Sequence, residues 1–268
     1  MFILGFSRRF RFVVTRSMLG YLLPLCCFVA LAMASSPAAA EPAPKADDDW
    51  VVLLGPDGAT GFQKIPKQLA EAGDVKLAEN GRNLETQPGQ GLVVAPGKRG
   101  WGKNLVSEQK FGDCRVHLEF MIGGRSNSGV KLQRRYEIQL YDSHGREDPT
   151  ARDCGGIYPH WKPGRGRLNY LDEGVPPKVN AAKPAGQWQT LDVVFRAPRF
   201  NAQGEKTANA RLESVVLNGQ TIHEDVELES PTGITPHPLG EAPRDALLLQ
   251  ADHGPVAFRN VKVLPLDE

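Results

Sequence analysis

Beyond its first forty residues the sequence has no apolar run approaching eighteen residues, so nothing later in the chain is long enough to cross a bilayer as a helix. An excess of charge is missing too. Lys and Arg number 32 against 31 Asp and Glu, a net charge of +1, which gives no footing for nucleic acid or for an anionic surface. There is no Gly-x-Ser-x-Gly, no P-loop and no dinucleotide fingerprint, so acyl, phosphoryl and hydride chemistry lose their usual sequence support. Neither His-Glu-x-x-His nor His-x-His occurs. A metal site would have to be assembled from distant residues, and whether a divalent cation takes part stays open. Cysteine is scarce: Cys26 and Cys27 lie in the N-terminal segment, leaving Cys114 and Cys154. No second Cys or His stands near them at zinc-like spacing; in an oxidising compartment one disulfide between them is the hypothesis. Heptads, internal repeats and long helical patterns are all absent.

The chain opens on Arg8, Arg9, Arg11 and Arg16, followed by an apolar stretch from Met18 to Met33 and small-x-small sites at Ala32-Met33-Ala34 and Ala38-Ala39-Ala40. That is the pattern of an export signal, with an uncleaved anchor as the competing reading. The expected organisation is a signal peptide over 1–40, a Pro, Ala and Asp-rich linker over 41–49, and one domain over 50–268. Export to the periplasm or the extracellular space follows.

Gly (28) and Pro (21) are abundant, which favours many turns. Short strands are expected at Trp50–Leu54, Gly91–Ala95 and Leu105–Ser107, and one short helix between Ile65 and Gly73, limited by Pro66 and Gly73. From Cys114 alternation is clear, with Val116, Leu118 and Phe120 on one face and Arg115, His117 and Glu119 on the other. Leu191, Val193 and Phe195 share a face in the same way. Arg211–Leu217 followed by Asn218-Gly219 is a hairpin signal. Leu247–Gln250 and Val256–Leu264 complete the series. Ser143–Pro184 is too long for an ordinary hairpin loop and is expected to serve a binding site. The fold class is therefore all-β, an antiparallel jelly-roll sandwich with long loops around a concave face.

The chain is organised around Asn127–Leu132 and Tyr136–Asp142. Strand alternation puts Glu137, Gln139 and Tyr141 on one face and Ile138 and Leu140 on the other, with Glu137 and Gln139 ~6.6 Å apart. This is a polar row suited to a sugar. Glu137 and Asp142 resemble the paired acids of glycosidases, but five residues apart on a regular strand they face opposite sides, and Asp142 also suits a cap on the turn at Ser143–Gly145. Among the histidines, His253 stands out in Gln250-Ala251-Asp252-His253-Gly254, where Asp252 could orient it. His237 lies in a loop without periodicity, and His160 and His223 read as structural. Tyr158, Trp161, Tyr170 and Trp188 flank the long loop, as stacking surfaces for sugar rings or as core plugs.

Several segments carry a family resemblance. They include Lys110-Phe111-Gly112-Asp113-Cys114, Asn127-Ser128-Gly129-Val130, Tyr136–Ser143, Gly155-Gly156-Ile157-Tyr158, Gly186-Gln187-Trp188-Gln189, Ala197-Pro198-Arg199-Phe200, Leu249–Gly254 and Val256–Val261. In this order, across roughly 50–266, the sequence resembles the 3-keto-disaccharide hydrolase family. The resemblance implies a concanavalin-like jelly roll and a 3-keto-glycoside lyase or hydratase acting on carbohydrate. It implies a catalytic base at His253 or Asp142, with Glu137 and Gln139 gripping hydroxyls or helping to hold a cation. Asn127 and Arg259 would donate hydrogen bonds, and Tyr158, Trp188 and Gln250 would bind substrate. A non-catalytic carbohydrate-binding module is the other function class that the same face would suit.

Overall fold

Apolar–polar alternation broken by Gly and Pro folds as sixteen strands, with no α-helix among the described residues. The computed structural model describes residues 49–97 and 103–266. The expected signal peptide and all but the last residue of the linker lie outside them. The strands are β1 (Val51–Leu54), β2 (Ala70–Leu77), β3 (Leu84–Ala95), β4 (Leu105–Phe111), β5 (Cys114–Ile122), β6 (Asn127–Leu132), β7 (Tyr136–Tyr141) and β8 (Trp161–Pro163). They continue with β9 (Leu168–Tyr170), β10 (Gln189–Arg196), β11 (Arg199–Phe200), β12 (Lys206–Ala208), β13 (Ala210–Leu217), β14 (Gln220–Leu228), β15 (Asp245–Gln250) and β16 (Val256–Pro265). The pairings between named strands are antiparallel. The larger sheet runs β14-β13-β10-β5-β16-β3-β2, with β1 also on β16, and the smaller runs β4-β15-β6-β7. This is the jelly-roll sandwich that the alternation predicts.

Between the sheets, Leu118, Phe120, Leu191, Val193, Phe195 and Phe258 from the larger meet Val130, Leu132, Tyr136, Ile138, Leu140, Leu247 and Leu249 from the smaller. Each comes from an alternate position of its strand, so the opposite faces are left for other work. On β16 the register shifts between Arg259 and Lys262, with Asn260 at φ 47°. The bulge resets the alternation and lets Val261 and Val263 return to the core after Phe258. A second apolar cluster, of Ala72, Val75, Leu92, Val94, Met121 and Ala257 with Trp188 against it, covers the outer face of the larger sheet.

The Asn218-Gly219 turn is as expected, with φ of 52° and 79°, the paired positive values of a tight hairpin turn. The helix expected between Ile65 and Gly73 does not form. Leu69 closes a turn on Pro66, and Ala70 begins β2, whose partner β3 satisfies its backbone. Among the described residues no helix is long and apolar enough to cross a membrane.

The disulfide hypothesis is overturned: Cys114 and Cys154 are both free and buried. Cys114 lies beside Leu132 and Gln133 at one end of the β6–β7 hairpin, whereas Cys154 donates its backbone N–H to Ser143, beyond the other end. The length of β7 separates them, roughly 17–20 Å, far beyond the reach of a disulfide. Burial pushes each thiol up to about 12, so neither supplies thiolate near neutral pH. Iodoacetamide is therefore expected to spare both in the native protein and to label both after denaturation. Rapid native labelling, read by mass spectrometry, would contradict this placement.

Candidate functional site on the smaller sheet

The β6–β7 and β15–β6 pairings fix which side chains share the outward face of the smaller sheet. Register sets Leu248 opposite Lys131 and Lys131 opposite Glu137; in the next row Gln250 faces Gly129, which faces Gln139; then Asn127 faces Tyr141. Asp252, two residues after Gln250, continues that column. Residues 155–158 add to the free edge of β7, with Tyr158 N–H donating to Glu137 O and Gln139 N–H to Gly156 O. Ile157 turns into the core, which puts Tyr158 on the outward face beside Glu137.

Gly129 makes this face work. A Cβ there would meet Glu137 Oε1 at 2.5 Å, so only glycine lets the carboxylate lie down across the middle row. Lys131 Nζ holds Glu137 Oε2 at 2.9 Å, and the acid is only 5% exposed. On either side stand Gln139 and Gln250, both buried, and the Oε1 of each has no hydrogen-bond partner. Gln139 Nε2 faces two acceptors, Asn127 Oδ1 and Arg152 O, each at 3.4 Å, which orients its amide with the oxygen free. Two strand spacings, ~9.5 Å, separate Gln139 from Gln250. A buried amide oxygen without a donor carries a desolvation penalty that a ligand hydroxyl can relieve.

Around Gln139 opens a cleft of about 220 Å³, lined also by Asn127, Tyr141, Arg146, Thr150, Arg152, Asp153, Tyr158 and Tyr170. The Arg152 guanidinium lies 5.1 Å over the Tyr170 ring, and Arg146 pairs with buried Asp153 at 3.2 Å. The Tyr158 and Tyr170 hydroxyls are 3.1 Å apart. Burial, followed by the hydrogen bond to Tyr170, pushes the Tyr158 phenol above its ordinary range, so it stays a donor.

At the end of β15, His253 Nδ1 meets Asp252 Oδ1 at 2.6 Å. That hydrogen bond is the largest influence on Asp252 and holds its carboxyl below the usual range; nearby Lys131 lowers it further. Asp252 is thus ionised and accepts the Nδ1 proton, leaving Nε2 free to take one. Gly254 keeps the turn tight, since a Cβ there would strike Ser126 and the backbone of Asn127. Among the described residues no cluster of three or more His, Cys, Asp and Glu side chains is arranged for a metal. At the Glu137 carboxylate, where a cation would sit, the Lys131 ammonium already stands.

A family model described as a 3-keto-alpha-glucoside-1,2-lyase-like domain matches residues 49–264. The chain belongs to that family. Solved structures of proposed glycosyl hydrolases from Parabacteroides distasonis share the fold of this lyase-like domain. One is 19% identical, covers 81% of this chain and 84% of that chain, and has a TM-score of 0.57. Another is 17% identical over 81% of this chain and 99% of that chain, with a TM-score of 0.51. None of the curated proteins is significantly similar to the chain. The domain is carbohydrate-active.

Of the residues singled out in the sequence, the lyase-like domain gathers Asn127, Glu137, Gln139, Tyr158 and Gln250 on one face, with His253 at the turn that ends it. Asp142 lies just past β7, where its carboxylate accepts the Arg125 N–H at 2.8 Å and caps a turn whose Arg125 has φ 60°. Trp188 and Arg259 are not part of this face. The Arg259 guanidinium stacks 4.0 Å over Trp188 and pairs with Glu119 at 2.6 Å, on the outward side of the other sheet. Parity explains it: Arg259 follows Ala257, and Glu119 precedes Met121, both in the outer cluster. Sequence reasoning missed Lys131, Arg146 and Arg152. Lys131 could have been found by pairing the hairpin, since folding β6 onto β7 through Gln133–Arg135 sets it opposite Glu137. The two arginines carry no such signal, because they sit in the aperiodic loop.

Proposed function

We propose that this domain cleaves glycosides already oxidised to a ketone at C3. The ketone acidifies the C2 proton; a base removes it, the C1 oxygen leaves by β-elimination, and water adds to the unsaturated sugar to give net hydrolysis. Such chemistry needs a base, a positive group for the enolate and a donor for the leaving oxygen. His253, oriented by Asp252, supplies the base at Nε2. The Lys131 ammonium supplies charge for the developing enolate, and Tyr158, held protonated, supplies a donor for the leaving oxygen. The free amide oxygens of Gln139 and Gln250 accept from ring hydroxyls. The observation that carries the reading is the placement of Lys131, which pairs with Glu137 and also draws down Asp252, so that acid, cation and His–Asp pair share one face. The Arg-rich, apolar N-terminal stretch supports an exported enzyme acting on sugar outside the cytoplasm.

NMR in D₂O tests the chemistry. With a 3-keto disaccharide, the C2 proton should be lost as the C1–O bond breaks, and deuterium should enter at C2 when water adds to the unsaturated sugar. Cleavage with the C2 proton fully retained from start to product would refute elimination.

A further inference from the structure

Between the long loop after β7 and the segment that follows β14 lies a second constellation that the cleft chemistry does not use. His160 Nδ1 lies 2.6 Å from Asp172 Oδ2, and His160 Nε2 lies 3.0 Å from Ser230 Oγ. Asp172 is itself fixed: its Oδ1 accepts the backbone N–H of His160 and of Gly174, each at 3.0 Å. Burial pushes this carboxyl up, but the hydrogen bonds from His160 and Gly174 outweigh it and keep the group ionised. An ionised partner keeps the proton on Nδ1, so Nε2 is an acceptor and the Ser230 hydroxyl donates to it. This is the polarity of an activated nucleophile.

We propose that Ser230, His160 and Asp172 form an acyl-transfer triad that hydrolyses carboxylic esters, with small O-acyl groups on carbohydrate as its substrate class. Triads are recognised by geometry and roles and not by chain order, so the order His, Asp, Ser and the absence of Gly-x-Ser-x-Gly do not count against it. The site is reachable, with the His160 side chain 26% exposed and that of Asp172 45%. It also borders the sugar-facing cleft. Tyr158 and Tyr170, which line that cleft, precede His160 and Asp172 by two residues each. Thr232, two residues after Ser230, accepts the backbone N–H of Glu137. Gly233, three residues after Ser230 and at φ +85°, lies against the Trp161 indole, whose Nε1 would be 3.7 Å from a Cβ there.

In the reaction Ser230 Oγ bonds to the ester carbonyl carbon as its proton passes to His160 Nε2. The tetrahedral adduct collapses, the bond to the alcohol oxygen breaks, and Nε2 returns the proton to that oxygen. Water then attacks the acyl-serine, giving its proton through Nε2 back to Ser230 Oγ and releasing the carboxylic acid.

A fluorophosphonate probe and p-nitrophenyl acetate test the triad on the full domain. The probe is expected to add to Ser230, located by peptide mass spectrometry. Ser230→Ala should abolish labelling and lower ester hydrolysis by ~10²–10⁴-fold, with the melting curve and 3-keto-glycoside turnover unchanged. Asp172→Asn, which keeps the shape but loses the charge that fixes the tautomer, should slow labelling over the same range. No adduct on Ser230, or an S230A protein that hydrolyses the ester at the parent rate, would overturn the proposal.

Discussion

Replacing His253 by Ala is expected to lower turnover of a 3-keto-glycoside by ~10²–10⁴-fold, the usual worth of general base catalysis, or about 3–5 kcal/mol of barrier. The side chain is part-exposed, and among the described residues its side-chain hydrogen bond is to its neighbour Asp252, so the melting curve should hardly move. Asp252→Asn should cost less than H253A but change the pH profile. An amide cannot hold the Nδ1 proton as a carboxylate does, and the fraction of imidazole presenting a free Nε2 then falls. Glu137→Gln separates binding from chemistry. It removes the ion pair with Lys131 but keeps the shape over Gly129, so KM should rise more than kcat falls. Steady-state kinetics with circular-dichroism melts checks all three. An H253A protein with the parent rate would remove the base from this turn.

The largest structural effect is expected at Asp113, in the tight connection between β4 and β5. Its carboxylate accepts from Arg199 Nη1 at 2.8 Å and Nη2 at 2.7 Å, from Arg196 Nη1 at 3.1 Å and from the Ala197 N–H at 2.8 Å. The side chain is 1% exposed. Asp113→Ala leaves these donors facing a void, and the cost is about 3 kcal/mol, at the low end for a broken buried pair because both arginines are partly solvated. For a unit of this size that is a fall in Tm of roughly 6–12 °C. Burial pushes the Asp113 carboxyl up, but the hydrogen bonds from Arg199, Ala197 and Arg196 outweigh it, so the folded pKa lies below the ordinary value. A carboxyl lowered on folding adds stability above its unfolded pKa, ~3.9, and loses it as pH falls through the folded value. Stability of the parent should therefore drop below about pH 4, and Asp113→Asn should show a shallower drop. Denaturant melts across that range measure it; equal acid slopes would contradict the assignment.

Much of the fold was legible because period-two alternation is a strong signal wherever one face is buried. Val116, Leu118 and Phe120 on β5 and Leu191, Val193 and Phe195 on β10 read directly, and Asn218-Gly219 announced its own turn. What failed had a local pattern that pairing overrode. Ala70 to Leu77 contains Gly73 between Ala72 and Asp74, where a register shift against β3 breaks the alternation and imitates a helix-compatible stretch. At the site, Glu137 and Gln139 could be put on one face from spacing alone. Lys131 was within reach of a hairpin pairing, but their relation to Gln250 was not, because it depends on β15 arriving beside β6 from more than a hundred residues away. Arg259 shows the reverse limit. Its strand was visible, but which of two outward faces it joins is decided by the sandwich and not by the strand. The Ser230–His160–Asp172 cluster spans three loop segments and leaves no periodic trace.

The most direct measurement is a paired incubation of the domain with a disaccharide oxidised at C3 and with its unoxidised parent, following release of the free sugar. Elimination depends on the ketone, so the oxidised substrate should be cleaved and the parent left intact within the detection limit. Equal cleavage of both sugars, or saturable binding of the oxidised sugar with no cleavage at all, would contradict the account.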